Sequence, residues 1–259
     1  MIEPLFRRDG DRFVPSEHAR GPWDEGALHG GPVAALIARA VEGIPSDDPL
    51  QVARFTMEIL RPVPLRPLEV SARVLRPGRR VQLVGATVTA GDTEVCTATA
   101  WRIRVQDVDG PGPGQTDELG APARDTGSSE QDPAWGAAFH STGVEMRFVR
   151  GHFVEPGPAT VWIRLRGAVV DDEEPSPLMR TVAAADFGNG VSAVLDWTTA
   201  LFVNTELTVH LIRPPDGEWV GLDARTQLSG NGVGLAACAL FDDHGGIGRS
   251  AQTLFVAPL

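Results

Sequence analysis

RFTMEILRP, residues Arg54–Pro62, and ELTVHLIRP, residues Glu206–Pro214, lie 152 residues apart (Arg54 against Glu206) and are two copies of one stretch. Holding that spacing without a gap sets Ala72-Arg73 on Ala224-Arg225, Gly78 on Gly230, Val81 on Val233 and Leu83 on Leu235. A gap-free register of this kind indicates an internal repeat. In the first copy Phe55, Met57 and Ile59 alternate with Thr56, Glu58 and Leu60. In the second, Leu207, Val209 and Leu211 alternate with Thr208, His210 and Ile212. Period-two alternation marks a strand with one buried face.

The same element order extends outward from both copies. Further strands are expected at Leu68–Leu75, Val81–Ala90 and Glu94–Arg104, with counterparts at Val220–Leu228, Gly234–Asp242 and Gly248–Val256. Turn signals, Gly91-Asp92 and Asp243-His244-Gly245-Gly246, separate the last two of each set. A helix is expected ahead of each long strand. The first, Pro32–Glu42, reads PVAALIARAVE, apolar on nearly every side and so expected to be buried, with Gly43 and Pro45 ending it. The second, Pro177–Phe187, reads PLMRTVAAADF, with Ser176 as N-cap, Pro177 in the first position and Gly188 as the stop. The second copy also begins with strand-like runs at Val144–Arg150 and Ala159–Gly167.

Between the copies, Gln106–Pro133 is rich in Gly, Pro, Asp and Ser and has no periodicity. It is expected to be a flexible linker between one unit over 1–105 and another over 134–259. The fold class is α+β: an antiparallel sheet around one buried helix, built twice.

Composition narrows the function classes. A chain of 259 residues with 42% apolar and 22% charged residues is long enough for a large core and ordinary for a globular protein. The formal charge of −11 argues against nucleic acid as a partner. Every basic residue other than histidine is an arginine, and tyrosine is absent, so lysine Schiff-base chemistry and tyrosine general acids are excluded. Cys96 and Cys238 sit inside strand-like runs, as small buried hydrophobes do. The six histidines are scattered, no cluster has metal-ligand spacing, and no phosphate loop or dinucleotide fingerprint occurs, so no metal and no cofactor is expected. No apolar run is long enough to span a membrane, and Met1–Arg12 lacks the layout of a secretion signal. The expectation is a soluble, cytoplasmic chain, with the oligomeric state, monomer or homo-oligomer, left open.

The helix entry Leu28-His29-Gly30-Gly31-Pro32, the strand ending Ile212-Arg213-Pro214 and the closing run Arg249-Ser250-Ala251-Gln252-Thr253 resemble those of acyl-CoA thioesterase II and its bacterial relatives. The resemblance covers both halves and spares mainly the linker. It implies two tandem hot-dog units, an acyl-CoA substrate and a place in lipid metabolism.

Differences between the copies point to a site. Aligning Pro32 with Pro177 sets Asp186 against Val41; the strand register sets Asn204 against Val52 and Gln252 against Ala100. Three polar residues in the second copy thus replace three apolar ones, and each costs about 1–3 kcal/mol if left unpaired near a core. The family has a catalytic Asp on this helix, a Thr on this strand and a Gln on the last strand, and the resemblance carries these roles onto Asp186, Asn204 and Gln252. Asn204 departs from the family's Thr, although Thr205 follows it, and an amide can position water as a hydroxyl can. Asp186 would be the general base, with Asn204 and Gln252 orienting the water. By the same resemblance the first copy supplies oxyanion donors, the N–H groups of Gly30 and Gly31 at its helix N-terminus, with His29 beside them.

Plainer readings stand beside these. Asp186 could end a helix at the surface, Asn204 could lie on a solvated strand face with Glu206, Thr208 and His210, Gln252 could be exposed, and His29 could be structural in its turn. Glu206, His210 and Asp196 are weaker candidates still. Arg76, Arg79 and Arg80 either meet coenzyme A phosphates or form a solvated turn. Two other functions compete: a non-catalytic acyl-CoA-binding protein, which Asn204 favours, and an enoyl-CoA hydratase or dehydratase, which needs a histidine beside a carboxylate.

Overall fold

In the computed structural model, which describes residues 2–108, 121–124, 128–129 and 136–259, the two copies face each other across one continuous sheet. The strands are β1 (Phe6–Asp9), β2 (Arg12–Pro15), β3 (Leu50–Ile59), β4 (Leu68–Arg76), β5 (Val81–Ala90), β6 (Thr93–Arg104), β7 (Ser128–Ser129), β8 (Val144–His152), β9 (Glu155–Leu165), β10 (Ala200–Asn204), β11 (Glu206–Leu211), β12 (Trp219–Leu228), β13 (Val233–Asp242) and β14 (Gly245–Pro258). The helices are α1 (Gly30–Glu42), α2 (Pro177–Ala185) and the single turn α3 (Gly188–Val191). The sheet runs β1-β2-β4-β5-β6-β3-β11-β14-β13-β12-β9-β8-β7, with β10 also on β14. Both halves therefore repeat one antiparallel order outward from a shared centre, which is a double hot-dog fold.

That centre is the pair of stretches on which the repeat rests. β3 and β11 run antiparallel with Thr56 directly opposite Thr208, two copies of the same position. Their hydroxyls lie 3.2 Å apart, so the local two-fold axis passes between them. On the inner face Phe55, Met57, Leu207 and Val209 are wholly buried, as their alternation demands.

The expected helices form with shifted ends. α1 starts at Gly30, two residues before Pro32, because His29 Nδ1 accepts the Gly31 N–H and caps it. Val33–Ala38 are all buried, in keeping with the all-round apolar sequence. Ser176 caps α2, accepting the Met179 N–H at 3.1 Å. α2 ends at Ala185 with Asp186 as C-cap, and Gly188 opens α3 where the sequence suggested only a stop. Gly91 takes φ of +60° in the turn between β5 and β6.

Two features went beyond the expectation. The hairpin β1–β2 pairs with β4, and its Phe6 is wholly buried beside the second half, where Leu5 N donates to Ala168 O and Phe6 N to Val169 O. The segment 106–133, expected to be a flexible linker, falls largely outside the described residues. Within it, Pro122 O accepts from Trp162 Nε1, Arg124 pairs with Asp243, and β7 pairs with β8. Among the described residues no helix is long and apolar enough to cross a membrane.

Candidate active site

α1 and α2 pack against each other so closely that a Cβ on Gly31 would stand 2.7 Å from Ala183 O and 2.8 Å from the Phe139 ring. This contact brings the C-terminal end of α2 to the N-terminal end of α1. Asp186, at the end of α2, is 3% exposed, and its carboxylate sits against Gly30, whose Cβ would be 2.8 Å from Oδ2. A carboxylate opposes the dipole of its own helix at that end. Here the N-terminus of α1 compensates it.

Three side chains from three elements converge on Asp186. Asn204 Nδ2 donates to Oδ1 at 3.0 Å, Gln252 Nε2 lies 3.3 Å from the same oxygen, and His29 Nδ1 is 2.8 Å from Oδ2. Gln252 is 1% exposed and its amide orientation is fixed, because Oε1 accepts the Asn189 N–H at 3.0 Å while Nε2 also reaches Asp186 O at 3.2 Å. Gly188 allows the approach: a Cβ there would come 2.8 Å from Gln252 Oε1 and from Cys238 Sγ. Phe139 and Phe187 flank the His29 ring at centroid distances of 5.1 and 4.7 Å.

Asn204 reaches the inside because of a β-bulge. Asn204 faces Leu254 and Thr208 faces Ala251, so the β10–β11 strand holds one residue more than β14 over this span. The extra residue, Thr205, reverses the parity that would have placed Asn204 with Glu206 on the outer face. The first copy carries the same bulge at Ala53, between Val52 opposite Arg102 and Arg54 opposite Trp101. Val52 is accordingly buried where Asn204 stands in the second half.

The match of Asp186 to Val41 needs correction. Glu42, the next residue, makes the mirror-image contact: Ser176 Oγ at the N-cap of α2 donates to Glu42 Oε2 at 2.5 Å. The first copy thus carries an acid at its helix end. That acid is exposed and lacks amide partners on the sheet, because Val52 and Ala100 occupy the other two positions.

The two N–H groups expected as oxyanion donors are not equivalent. The Gly31 N–H is taken by His29 Nδ1 at 3.1 Å, whereas the Gly30 N–H makes no hydrogen bond among the described residues. Both glycines are required by close packing, Gly30 under the carboxylate and Gly31 under α2.

Asp186, Asn204, His29 and Gly30 line a cavity of about 470 Å³. Its walls are mostly apolar, with Val33, Met57, Val63, Leu201 and Val203 among them, and Leu60, Arg61, Thr205 and Phe255 stand at its exposed rim. Cys96 is on the wall too, but burial and the neighbouring Asp186 push its thiol up to about 12; burial pushes Cys238 up to about 12 as well. Neither is a nucleophile near neutral pH. His140, also on the wall, is pushed down to about 4 by burial and by the charges of His29 and Arg20, and is neutral. Among the described residues no group of His, Cys, Asp or Glu side chains is placed to hold a metal ion.

Other sequence candidates fall elsewhere. Glu206 accepts from Thr253 N and Thr208 Oγ1, His210 is exposed opposite Arg54, and neither lines the cavity. Arg79 pairs with Asp48 and Arg76 lies over Trp101, and neither they nor Arg80 line this cavity. Sequence reasoning did not single out the aromatic side chains Trp23, Phe153 and Trp197 on the cavity wall, which lie in loops without periodicity.

The fold defines the class, a double hot-dog protein with a buried carboxylate between its halves. The sequence matches the family profile described as the acyl-CoA thioesterase C-terminal domain over residues 113–256, and that described as the N-terminal domain over 19–103. The chain belongs to the acyl-CoA thioesterase family and is a thioester hydrolase. A candidate thioesterase II from Thermobifida fusca superposes with a TM-score of 0.73 at 21% identity, covering 97% of this chain and 94% of that one. A hot-dog protein of unknown function from Alicyclobacillus acidocaldarius gives 0.73 at 18%, over 98% and 96%. An acyl-CoA thioesterase II from Mycobacterium marinum gives 0.68 at 14%, over 97% and 94%. At these identities the likeness speaks for the fold alone. No curated protein matches the sequence.

Proposed function

We propose that this protein hydrolyses acyl-CoA to a free acid and coenzyme A at Asp186, with unit 134–259 supplying the base and unit 1–105 the oxyanion donor. The observation that carries this reading is the convergence of His29, Asn204 and Gln252 on one buried carboxylate at a cavity wall. Asn204 and Gln252 hold Oδ1, and Oδ2, which His29 Nδ1 also approaches, accepts a proton from water. The water oxygen bonds to the thioester carbon, and the carbonyl oxygen takes the negative charge beside the Gly30 N–H and the helix N-terminus. The C–S bond then breaks and the electron pair leaves on sulfur. A thiol pKa near ~8.5 makes the thiolate a leaving group that needs no strong general acid.

The apolar walls suit an acyl chain, and the exposed Arg61 at the rim suits the phosphates of coenzyme A. The non-catalytic alternative drew on Asn204, but that side chain is engaged with the carboxylate. Enoyl-CoA hydration has one specific support, the His29–Asp186 pair. Incubation with a panel of saturated acyl-CoAs and one enoyl-CoA separates the three. Thiol release is expected from the saturated substrates. Loss of enoyl absorbance without thiol release would favour hydration, and neither signal would favour binding alone.

A further inference from the structure

A second cavity, of about 690 Å³, lies beside the first. Gly21–Asp24, His140, Phe153 and Trp197 line both, so these residues form a wall between two chambers. The wall is aromatic and tightly stacked. Trp23 stacks on Trp197 at 4.9 Å, Phe153 stacks on Trp197 at 5.8 Å, and Phe202 packs on both tryptophans at 5.0 and 4.5 Å. Both halves build it, Trp23 from the first and the others from the second. Its position is braced: Asp196 Oδ1 accepts from Thr198 N and Oγ1 at 2.7 Å, fixing the turn that carries Trp197.

Charge orients a substrate between the chambers. Apart from Asp24, which both cavities share, the second is lined by Glu25, Glu155 and Asp196, with Arg20, paired with Glu17, as the one cation among the described residues. Such a lining repels coenzyme A phosphates. The exposed rim of the first cavity carries Arg61 instead. A thioester carbon at Asp186 with its phosphates toward Arg61 directs the acyl chain away from that rim, toward the aromatic wall.

We propose that Trp23, Phe153 and Trp197 set the upper limit of acyl length, with the second cavity closed to the chain by this wall. The inference rests on the acyl-CoA reading above. An acyl group that ends at the wall fits, and an aryl end gains stacking against the tryptophans. A long chain must displace the stack.

The test compares octanoyl-CoA with palmitoyl-CoA, below micellar concentration, on wild type, Trp197→Ala and Trp23→Ala. Opening the wall should raise the palmitoyl-to-octanoyl ratio of kcat/KM by about tenfold or more, the scale on which pocket length discriminates methylenes. An unchanged ratio, with both substrates falling in parallel and melting temperature intact, would overturn the proposal. Should the alanine variants fail to fold, Phe153→Leu and Trp197→Leu read the same ratio. Binding of both acyl-CoAs to Asp186→Asn and to its double variant with Trp197→Ala, by calorimetry, keeps the two readings apart. A wild type that releases no thiol sinks the hydrolase reading, whereas the binding ratio still decides the wall.

Discussion

Nδ1 of His29 lies 2.8 Å from Oδ2 of Asp186 and 3.1 Å from the N–H nitrogen of Gly31. One ring nitrogen cannot donate to the first and accept from the second at once. The helix cap and the contact with the carboxylate therefore compete for that nitrogen. The capping residue of α1 thereby couples the N-terminus of that helix to the carboxylate proposed as the base.

Replacing His29 with Asn separates capping from this coupling. Asn is among the best N-caps, so α1 should keep its start and the melting temperature should stay within a few degrees. The contact with Asp186 Oδ2 is lost or reshaped, and kcat should fall about tenfold or more. Equal losses in kcat and melting temperature would reduce His29 to a cap.

The two amides at Oδ1 should differ in what they cost. Gln252→Leu leaves the Asn189 N–H and Asp186 O unpaired in the core, and destabilisation of about 1–3 kcal/mol is expected along with a fall in kcat. Asn204 is only half-buried, so Asn204→Leu should lower kcat with a smaller loss of stability. Asn204→Thr restores the residue that the family resemblance implies and should keep more activity than Asn204→Leu. Denaturant melts paired with thiol release check all three.

Glycine substitutions divide in the same way. A Cβ on Gly31 strikes the backbone oxygen of Ala183, which cannot swing aside, so Gly31→Val should weaken folding before it reports on catalysis. A Cβ on Gly30 meets the Asp186 carboxylate, which can turn. Gly30→Ala should therefore fold and lose kcat. A Gly30→Ala enzyme with normal turnover would remove Gly30 from the site.

Much of this was legible in the chain, and the exceptions have physical causes. The repeat at Arg54 and Glu206 predicted two equivalent strands, because a shared hydrophobic face constrains both copies alike, but not that they pair with each other. Asp186, Asn204 and Gln252 stood out as polar residues at positions apolar in the other copy, and the structure brings them together. Strict alternation turned Asn204 outward, since one-residue bulges are invisible to a period-two rule. The first copy did hold the clue: Val52 and Phe55 are both apolar on opposite parities, which a bulge at Ala53 reconciles. Glu42 was overlooked because helix ends drift by a residue or two. The aromatic wall was missed because loops carry no period, and the hairpin β1–β2 because four-residue strands give too short a pattern.

Stability at low pH should depend on Asp242. Its side chain is wholly buried and accepts from Arg213 Nη1 and Nη2 and from the N–H groups of Asp216 and His244. Burial raises its pKa, but the Arg213 hydrogen bonds and the two backbone donors outweigh that and leave it lowered. A carboxyl lowered on folding contributes stability above its unfolded pKa of about 3.9, and loses it as pH falls through the folded value. Asp242→Asn should cost about 3 kcal/mol near pH 7, at the low end for a broken buried pair because Arg213 reaches solvent. The deficit relative to wild type should shrink below about pH 4. Urea melts across pH 3–7 measure it, and a deficit independent of pH would show that the charge is not what matters.

Asp186→Asn is the most direct trial of the proposed base. The amide oxygen can still accept from Asn204 and Gln252, and the side chain keeps its size between α1 and α2. Folding should survive, with a melting temperature close to that of wild type. What disappears is the oxygen able to take a proton from water while Gly30 and the helix N-terminus await the oxyanion. General-base catalysis contributes about 10²–10⁴-fold, and the loss should fall on kcat with KM little changed, because the carboxylate acts on water and not on the bound chain. Thiol release from the best acyl-CoA of the panel, at saturating substrate, reads it. Turnover within a few-fold of wild type would move the proton to another acceptor, and His29 Nε2, on the ring that Asp186 orients, would be the next to test.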